Sequence, residues 1–357
     1  MKITFLISDM SVGGAQRVVS LMANHWAAAG HAITIVTVSD TPSFYPLEPE
    51  IEWIGLGLQR EPGSLLSGLK ANIKRIRSVR KTLLALKPNM VISFLTQTNI
   101  VAAAACRSLA LPVIVCERNN PEQGTLSRSW KRARKTAYQW ADRIVVQTES
   151  ARRFYDNFSA ETVVIPNPVR KMTVAEHKKE NIILAAGRLV PQKGFDLLID
   201  AFANVSAADW QLVILGEGPE RDNLEKQVSD LSLSGRVQLP GQVKDIDAFY
   251  AKAPIFVLSS RFEGFPNVLC EAMAAGLACI SCDCASGPAD IIDHNQNGLL
   301  VETENETALA AAINALIYNQ NKRDSLGKAA AKISEKLALN KIMARWDDTL
   351  AELTGNR

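Results

Sequence analysis

Nowhere does the 357-residue sequence stay apolar for the roughly 18–20 residues that a membrane-spanning helix needs. Cysteine is sparse as well. There are six, scattered along the chain, with Cys106, Cys116 and Cys270 in apolar surroundings. This usage fits free thiols in a reducing compartment, not a disulfide framework. Cys279, Cys282 and Cys284 cluster in LACISCDC, but only His294 follows as a fourth ligand, so the stretch reads as a buried strand and no bound metal is expected. The opening MKITFLISDM lacks the marks of a signal peptide: its short apolar run ends at Asp9 without a small-residue cleavage site, and it reads as a first buried strand. No nucleic-acid recognition motif is present.

Composition is otherwise that of a soluble globular protein, 47% hydrophobic and 22% charged. The length exceeds one ordinary core and implies two domains. Net charge is +3 but uneven: residues 1–165 carry 20 Lys+Arg against 12 Asp+Glu, and residues 166–357 carry 20 against 25. A basic first half suggests that this half faces an anionic partner.

Short β-branched runs alternate with helical stretches. In the first half they are ITFLIS, AITIVTV, MVISFL, PVIVCE, RIVVQT and TVVIPN; in the second, NIILAAG, WQLVILG, RVQLPG, PIFVLS, LACISC and GLLVE. Such a pattern predicts an α/β protein of two Rossmann-like, doubly wound parallel-sheet domains facing each other across a cleft. The polar, aperiodic NPVRKMTVAEHKKE is the linker candidate, giving domains of 1–167 and 168–338. The closing helix, 339–357, carries Ile342, Trp346 and Leu350 at helical spacing and is expected to cross back to the first domain. Ligands in such sheets bind beyond the carboxyl ends of the strands, so chemistry is sought in the loops there.

The first such loop, SDMSVGGAQR, puts Gly13 and Gly14 where a strand hands over to a helix, either as a tight turn or as a close approach for an anion or sugar. CERNNPEQG gathers Glu117, Arg118, Asn119 and Asn120 at the end of a buried strand. GRLVPQKG sets Arg188 and Lys193 before a helix, where two cations can grip a diphosphate or form a solvated basic loop. Asp245-x-Asp247 resembles a metal-ligating pair but opens a helix, where acids cap. In SSRFEGFPNVLCEAMAAG, Glu263 stands in the loop and Glu271 eight residues on, inside a helix beginning at Pro266 or Asn267. Free amides near Asn267, Val268 and Leu269 would suit phosphate oxygens, and a carboxylate at Glu271 can accept both hydroxyls of a ribose diol.

Taken together, these loops resemble the retaining, family 4 type glycosyltransferases of GT-B fold that work in bacterial cell-surface glycan assembly. FEGFPNVLCEAMAAG matches their E-x7-E signature, GRLVPQKGFDLLIDAF their diphosphate-binding segment, SVGGAQR their glycine loop and IPNPV their interdomain segment. LVILGEGP, VQLPGQV and SGPADIIDHNQNGLLV follow in order, so the resemblance covers essentially the whole chain. It implies that Arg188 and Lys193 hold the donor diphosphate and that Glu271 binds the nucleotide ribose. It implies further that Glu263, Gly264, Phe265 and Pro266 meet the donor sugar, that Val243 lies near the base, and that the Gly13–Gly14 loop lies against diphosphate and acceptor. Many members carry a histidine near the donor sugar where this chain has Arg118, and an arginine is no usable base at neutral pH. By the same resemblance, the acceptor attacks the face the diphosphate leaves, and the leaving phosphate takes its proton. No dedicated base and no cofactor beyond the nucleotide sugar are then required.

For the acceptor, the basic stretch LKANIKRIRSVRKTLLALK aligns Lys70, Lys74, Arg77 and Lys81 on one face, with Ile73, Ile76 and Leu83 or Leu84 on another. SRSWKRARKTAYQW adds Arg128, Lys131, Arg132, Arg134 and Lys135 beside Trp130 and Trp140. Two such helices in one domain point to an anionic membrane surface or a lipid diphosphate, and to a cytoplasmic protein held peripherally on the inner face of the cell membrane. The expected partners are a nucleotide sugar, UDP before GDP, and a lipid-linked or polysaccharide acceptor. The sugar expected is a hexose or N-acetylhexosamine. The alternatives are a non-catalytic nucleotide-sugar binder and a sugar-nucleotide epimerase; no lysine in a cofactor-like setting supports the second.

Overall fold

The computed structural model describes residues 1–59, 65–118, 121, 126–170 and 179–355, with backbone alone at 65–66. They form two compact units: Met1–Asn167 together with Ile342–Arg357, and Pro168–Lys341.

The first unit holds a seven-stranded, all-parallel sheet of β1 (Lys2–Ile7), β2 (Ala32–Thr37), β3 (Glu52–Gly55), β4 (Met90–Phe94), β5 (Val113–Cys116), β6 (Arg143–Val146) and β7 (Glu161–Val164), in the order β3-β2-β1-β4-β5-β6-β7. In β1, β4, β5 and β6 the strands are buried on both faces, as apolar parallel strands between helical layers must be. β3 escapes the sequence pattern. It is a four-residue edge strand with only half-buried side chains after Glu52, so it lacks the long apolar run that marks its neighbours.

The closing helix, Leu339–Gly355, packs within this unit from Ile342 onward. Ile342, Trp346 and Leu350 are buried, and Trp346 meets Trp26 edge-on at 6.3 Å, with Trp26 stacked on Phe5. The buried Trp26 indole N–H donates to Asp347 Oδ1 at 2.7 Å, so the helix supplies both the apolar cover and the polar partner that a buried indole requires.

The second unit carries a six-stranded parallel sheet of β8 (Ile182–Ala186), β9 (Gln211–Leu215), β10 (Val237–Gly241), β11 (Ile255–Leu258), β12 (Ala278–Cys282) and β13 (Leu299–Val301), ordered β10-β9-β8-β11-β12-β13. The order reverses at β8, where β9 lies on one side and β11 on the other. The loops after β8 and β11 therefore run to opposite sides and part between these two strands, the place where open parallel sheets take ligands. Both units are thus Rossmann-like α/β domains.

All six cysteines are free and buried. Burial pushes the thiols of Cys106 and Cys116 up to about 12 and that of Cys284 up to about 11, which leaves them inert as nucleophiles. Among the described residues no three His, Cys, Asp or Glu side chains gather as metal ligands.

Candidate active site

In the second unit the loops after β8 and β11 meet. Lys193 ends a short 3-10 turn, Pro191–Lys193, and Gly194 follows in the left-handed conformation at φ 61°. A Cβ on Gly194 would stand 2.2 Å from the Ser259 carbonyl oxygen, so glycine is what lets this turn press against the end of β11. Ser259 Oγ donates to the Lys193 carbonyl at 2.9 Å, the Arg261 amide to the Gln192 carbonyl at 2.8 Å, and Gln192 Nε2 to the Phe262 carbonyl at 2.9 Å. Arg261 completes the clamp: its guanidinium forks onto Asp196 at 2.8 and 2.7 Å and its Nε reaches Glu304 at 2.6 Å. The fork from Arg261 outweighs partial burial and holds the Asp196 carboxyl below its usual range. No sequence motif pointed to this clamp, because its partners lie 65 residues apart.

The clamp brings Lys193 Nζ to 2.6 Å from Glu263 Oε1. Ser260 Oγ donates to the same oxygen at 2.6 Å, and the Glu263 side chain is only 6% exposed against 18% for Lys193. The Lys193 stem lies over Gly187, whose Cβ position is 3.3 Å from Cε, so the cation is led along the end of β8. Next to it in the chain, Arg188 is exposed, and its guanidinium makes no hydrogen bond or ion pair among the described residues. Ser286 Oγ donates to the Glu263 carbonyl, and Gly287 at φ 96° packs against Pro266 and Gly264. Thus Arg188, Lys193, Glu263, Gly264, Phe265 and Pro266 share the carboxyl ends of β8 and β11.

The helix Asn267–Ala274 follows, with Glu271 buried on it. One expectation is corrected here. The Asn267 amide turns back to the Phe265 carbonyl at 3.0 Å and the Leu269 amide to the Pro266 carbonyl at 3.0 Å, so of the three amides only that of Val268 lacks a backbone acceptor among the described residues. A tight turn at Pro266 satisfies locally what the motif alone leaves open. Tyr250 Oη approaches Glu271 Oε2 at 3.5 Å, and Arg170 grips Asp247 with both guanidinium nitrogens while its charge also reaches Glu271. Asp245 Oδ1 accepts the amides of Asp247 and Ala248 at 3.1 and 3.3 Å, the capping role its position predicts. Val243 is half-buried in the loop after β10.

In the first unit Gly14 opens the helix Gly14–Ala28 and is exposed. Gly13 is pinned by Tyr45, whose hydroxyl accepts its amide at 3.2 Å and donates to its carbonyl at 3.1 Å. Asp9 braces the same loop: despite burial, hydrogen bonds from Ser11, Ser8 and Gln16 hold its carboxyl below the usual range. Glu117, expected on the acceptor side, is turned into the core. It accepts from Thr96 Oγ1 at 2.9 Å and from Tyr138 Oη, and burial raises its pKa. Arg118 is buried at the end of β5, with its guanidinium 4.7 Å over the Phe94 ring. Asn119 lies outside the described residues.

The basic stretches divide. Along the helix Leu65–Leu86, Lys70, Lys74, Arg77 and Lys81 line one shallow hollow as their spacing predicts, but Ile73 joins them there, 41% exposed, while Val79 and Leu83 face the core. On the helix Arg128–Ala137, Lys131 and Arg132 are exposed, whereas Arg134 is buried 4.7 Å over Phe154 and belongs to the core. Trp130 packs on the same core and Trp140 lies under Arg107 at 4.4 Å, so neither is free to stack a base.

Comparison with known proteins identifies the family and the fold. Residues 13–168 match the model of the glycosyl transferase 4-like domain, and residues 170–333 that of glycosyl transferases group 1. A Campylobacter jejuni protein is 30% identical over 99% of both chains; it is named GalNAc-alpha-(1->4)-GalNAc-alpha-(1->3)-diNAcBac-PP-undecaprenol alpha-1,4-N-acetyl-D-galactosaminyltransferase. The amylovoran biosynthesis glycosyltransferase AmsD of Erwinia amylovora is 26% identical over 98% of this chain and 99% of its own. In fold, sucrose-phosphate synthase from Thermosynechococcus elongatus superposes with a TM-score of 0.85 at 20% identity, covering all of both chains. Anabaena HepE, solved with UDP, gives a TM-score of 0.82 at 20% identity over 99% of this chain and all of its own.

Proposed function

The chain belongs to the family 4 type glycosyltransferases of GT-B fold, and from that membership we propose a specific reaction. It moves a hexose or N-acetylhexosamine from a UDP-sugar to a hydroxyl of a lipid-linked or polysaccharide acceptor, with retention and an α linkage. The observation that carries the reading is the Lys193–Glu263 contact of 2.6 Å beside the exposed guanidinium of Arg188. An ammonium has three donors. One is held by Glu263, which leaves others for a diphosphate oxygen, and Arg188 adds a planar fork. Fixed cations of this kind stabilise charge that grows on a departing diphosphate, and they are already oriented before the bond breaks. Glu263 orients Lys193 and meets the sugar; Glu271 takes the ribose. The acceptor proton passes to the leaving phosphate, and the reading needs neither a metal nor a protein base.

The relative from Campylobacter is named for an undecaprenyl diphosphate acceptor, which supports a lipid-linked substrate here. Screening UDP- and GDP-sugars with membrane extracts should give UDP-sugar turnover that survives EDTA. In Glu263→Ala, turnover should fall at least about a hundredfold, the scale of losing an oriented electrostatic group, while UDP still binds. UDP binding with no turnover on any acceptor would instead favour a non-catalytic binder.

On this reading the protein sits peripherally on the inner face of the cell membrane. Among the described residues no helix is long and apolar enough to cross one. The helix Leu65–Leu86, though, exposes Leu69 (61%), Ile73 (41%) and Leu84 (51%) beside its four cations, the pairing that lays a helix into an anionic interface. Cosedimentation should show binding to phosphatidylglycerol vesicles but not to phosphatidylcholine. Replacing Lys70, Lys74, Arg77 and Lys81 by glutamate should abolish it, at about 1 kcal/mol per cation lost. Binding that ignores lipid charge or that substitution would remove the membrane from the proposal.

A further inference from the structure

Arg118 is a cation without an anion. Its side chain is buried, 9% exposed as a residue, yet Nε and Nη2 have no hydrogen-bond partner. Among the described residues the guanidinium is engaged by Asn167 Oδ1, through Nη1, and by the neighbouring Cys116 thiol, and no carboxylate pairs with it. The adjacent carboxylate, Glu117, is held by Thr96 and Tyr138. Leaving two charged donors buried and unmatched is costly unless something is meant to meet them.

A second feature lies beside it. The Arg118 guanidinium stacks over Phe94, the last residue of β4, and the chain then passes through Leu95 into the twelve-residue helix Thr96–Arg107. Leu95 holds a positive φ of 72° and gives the helix no side-chain cap. Its amide is tied to the Cys116 carbonyl at 3.2 Å, which joins this turn to the end of β5 that bears Arg118. The first bond of the helix is made by the Asn99 amide, so those of Thr96, Gln97 and Thr98 have no acceptor among the described residues. An uncapped helix start carries positive partial charge and open donors.

Nε and Nη2 form the side edge of a guanidinium, two parallel N–H groups spaced to meet two oxygens of one carboxylate or phosphate. We propose that Arg118, with the open amides of the helix Thr96–Arg107, is an oxyanion site that reads a carboxylate or phosphate group on the substrate taken by the first unit. The inference rests on the transferase reading and narrows it: the substrate bears a negative group close to its sugar, and an otherwise identical neutral sugar is discriminated against.

The test uses the full chain labelled with 15N-arginine, saturated with UDP so that the second unit contributes no phosphate response. Methyl glucuronide, inorganic phosphate and methyl glucoside are titrated while the Arg118 Nε–H resonance is followed. Either anion should shift that signal and methyl glucoside should not; which anion does so identifies the group. Arg118→Gln should lose the anion response measured by calorimetry, with affinity about ten- to a hundredfold weaker, the scale of a charge-assisted pair. Arg118→Lys should retain part of it and reports on folding where the glutamine variant does not fold. No anion-dependent shift, or equal affinity in wild type and Arg118→Gln, overturns the proposal. Loss of UDP binding in the wild type would count against the donor reading instead and leave the Arg118 result to stand by itself.

Discussion

Lys193→Ala should lower UDP-sugar turnover about 10²–10³-fold, with a much smaller change in KM, because in the proposed reaction the interaction removed grows as the diphosphate departs. The same substitution also strips a partner from a buried carboxylate. The Glu263 side chain, 6% exposed, keeps Ser260 but loses its only salt bridge among the described residues, and Lys193 is itself only 18% exposed. Breaking a mostly buried pair from one side costs about 3 kcal/mol, so the melting temperature should drop as well. Stability and chemistry are separated by the double variant Lys193→Ala with Glu263→Ala. Removing both partners should restore much of the melting temperature, since no uncompensated charge remains, and none of the turnover. A Lys193→Ala enzyme that melts earlier yet keeps its kcat would reduce Lys193 to a strut.

How far such a site can be seen in advance depends on where its determinants lie. β8 and β11 are legible because parallel strands covered on both faces must be apolar throughout, and IILAA and IFVL are. Lys193 and Glu263 are legible as motif members; their contact is not, since it is made by the Gly194 turn and the Arg261–Asp196 fork across 65 residues or more. β3 fails for the opposite reason: an edge strand has one neighbour and a weak pattern. Arg134 shows the limit of reading charge as solvated surface. Its burial depends on Phe154 and Tyr155, which periodicity along its own helix cannot place. Arg118 was visible as polar in a loop, but its unmatched donors appear only once the partners of Glu117 are known.

Gly216→Ala should unfold the second unit more effectively than any change of a charged group. Gly216 follows β9 at φ 138°, a region that side-chain-bearing residues avoid. A Cβ there would stand 1.9 Å from the Gly187 carbonyl oxygen and 2.9 Å from its carbon. Neither neighbour can give way: the Gly187 amide is bonded to the Leu215 carbonyl at 2.9 Å, and the Gly216 amide to the Gly241 carbonyl at 2.9 Å, so β8, β9 and β10 are stitched together at this point. Backbone strain and overpacking each cost about 1–3 kcal/mol, and together about 3–5 kcal/mol. The consequence reaches the chemistry, because Gly187 directly precedes Arg188 and carries the Lys193 stem across its face. Displacing that carbonyl moves both cations, so whatever fraction remains folded should bind UDP weakly. Gly235 is the control: nothing stands within 4 Å of its Cβ position, and alanine there should change stability by no more than about 0.5 kcal/mol. Thermal melts with and without UDP compare the two variants. If Gly216→Ala melts with Gly235→Ala and gains as much from UDP, the close approach of β9 to the Arg188 loop is not what positions the cations.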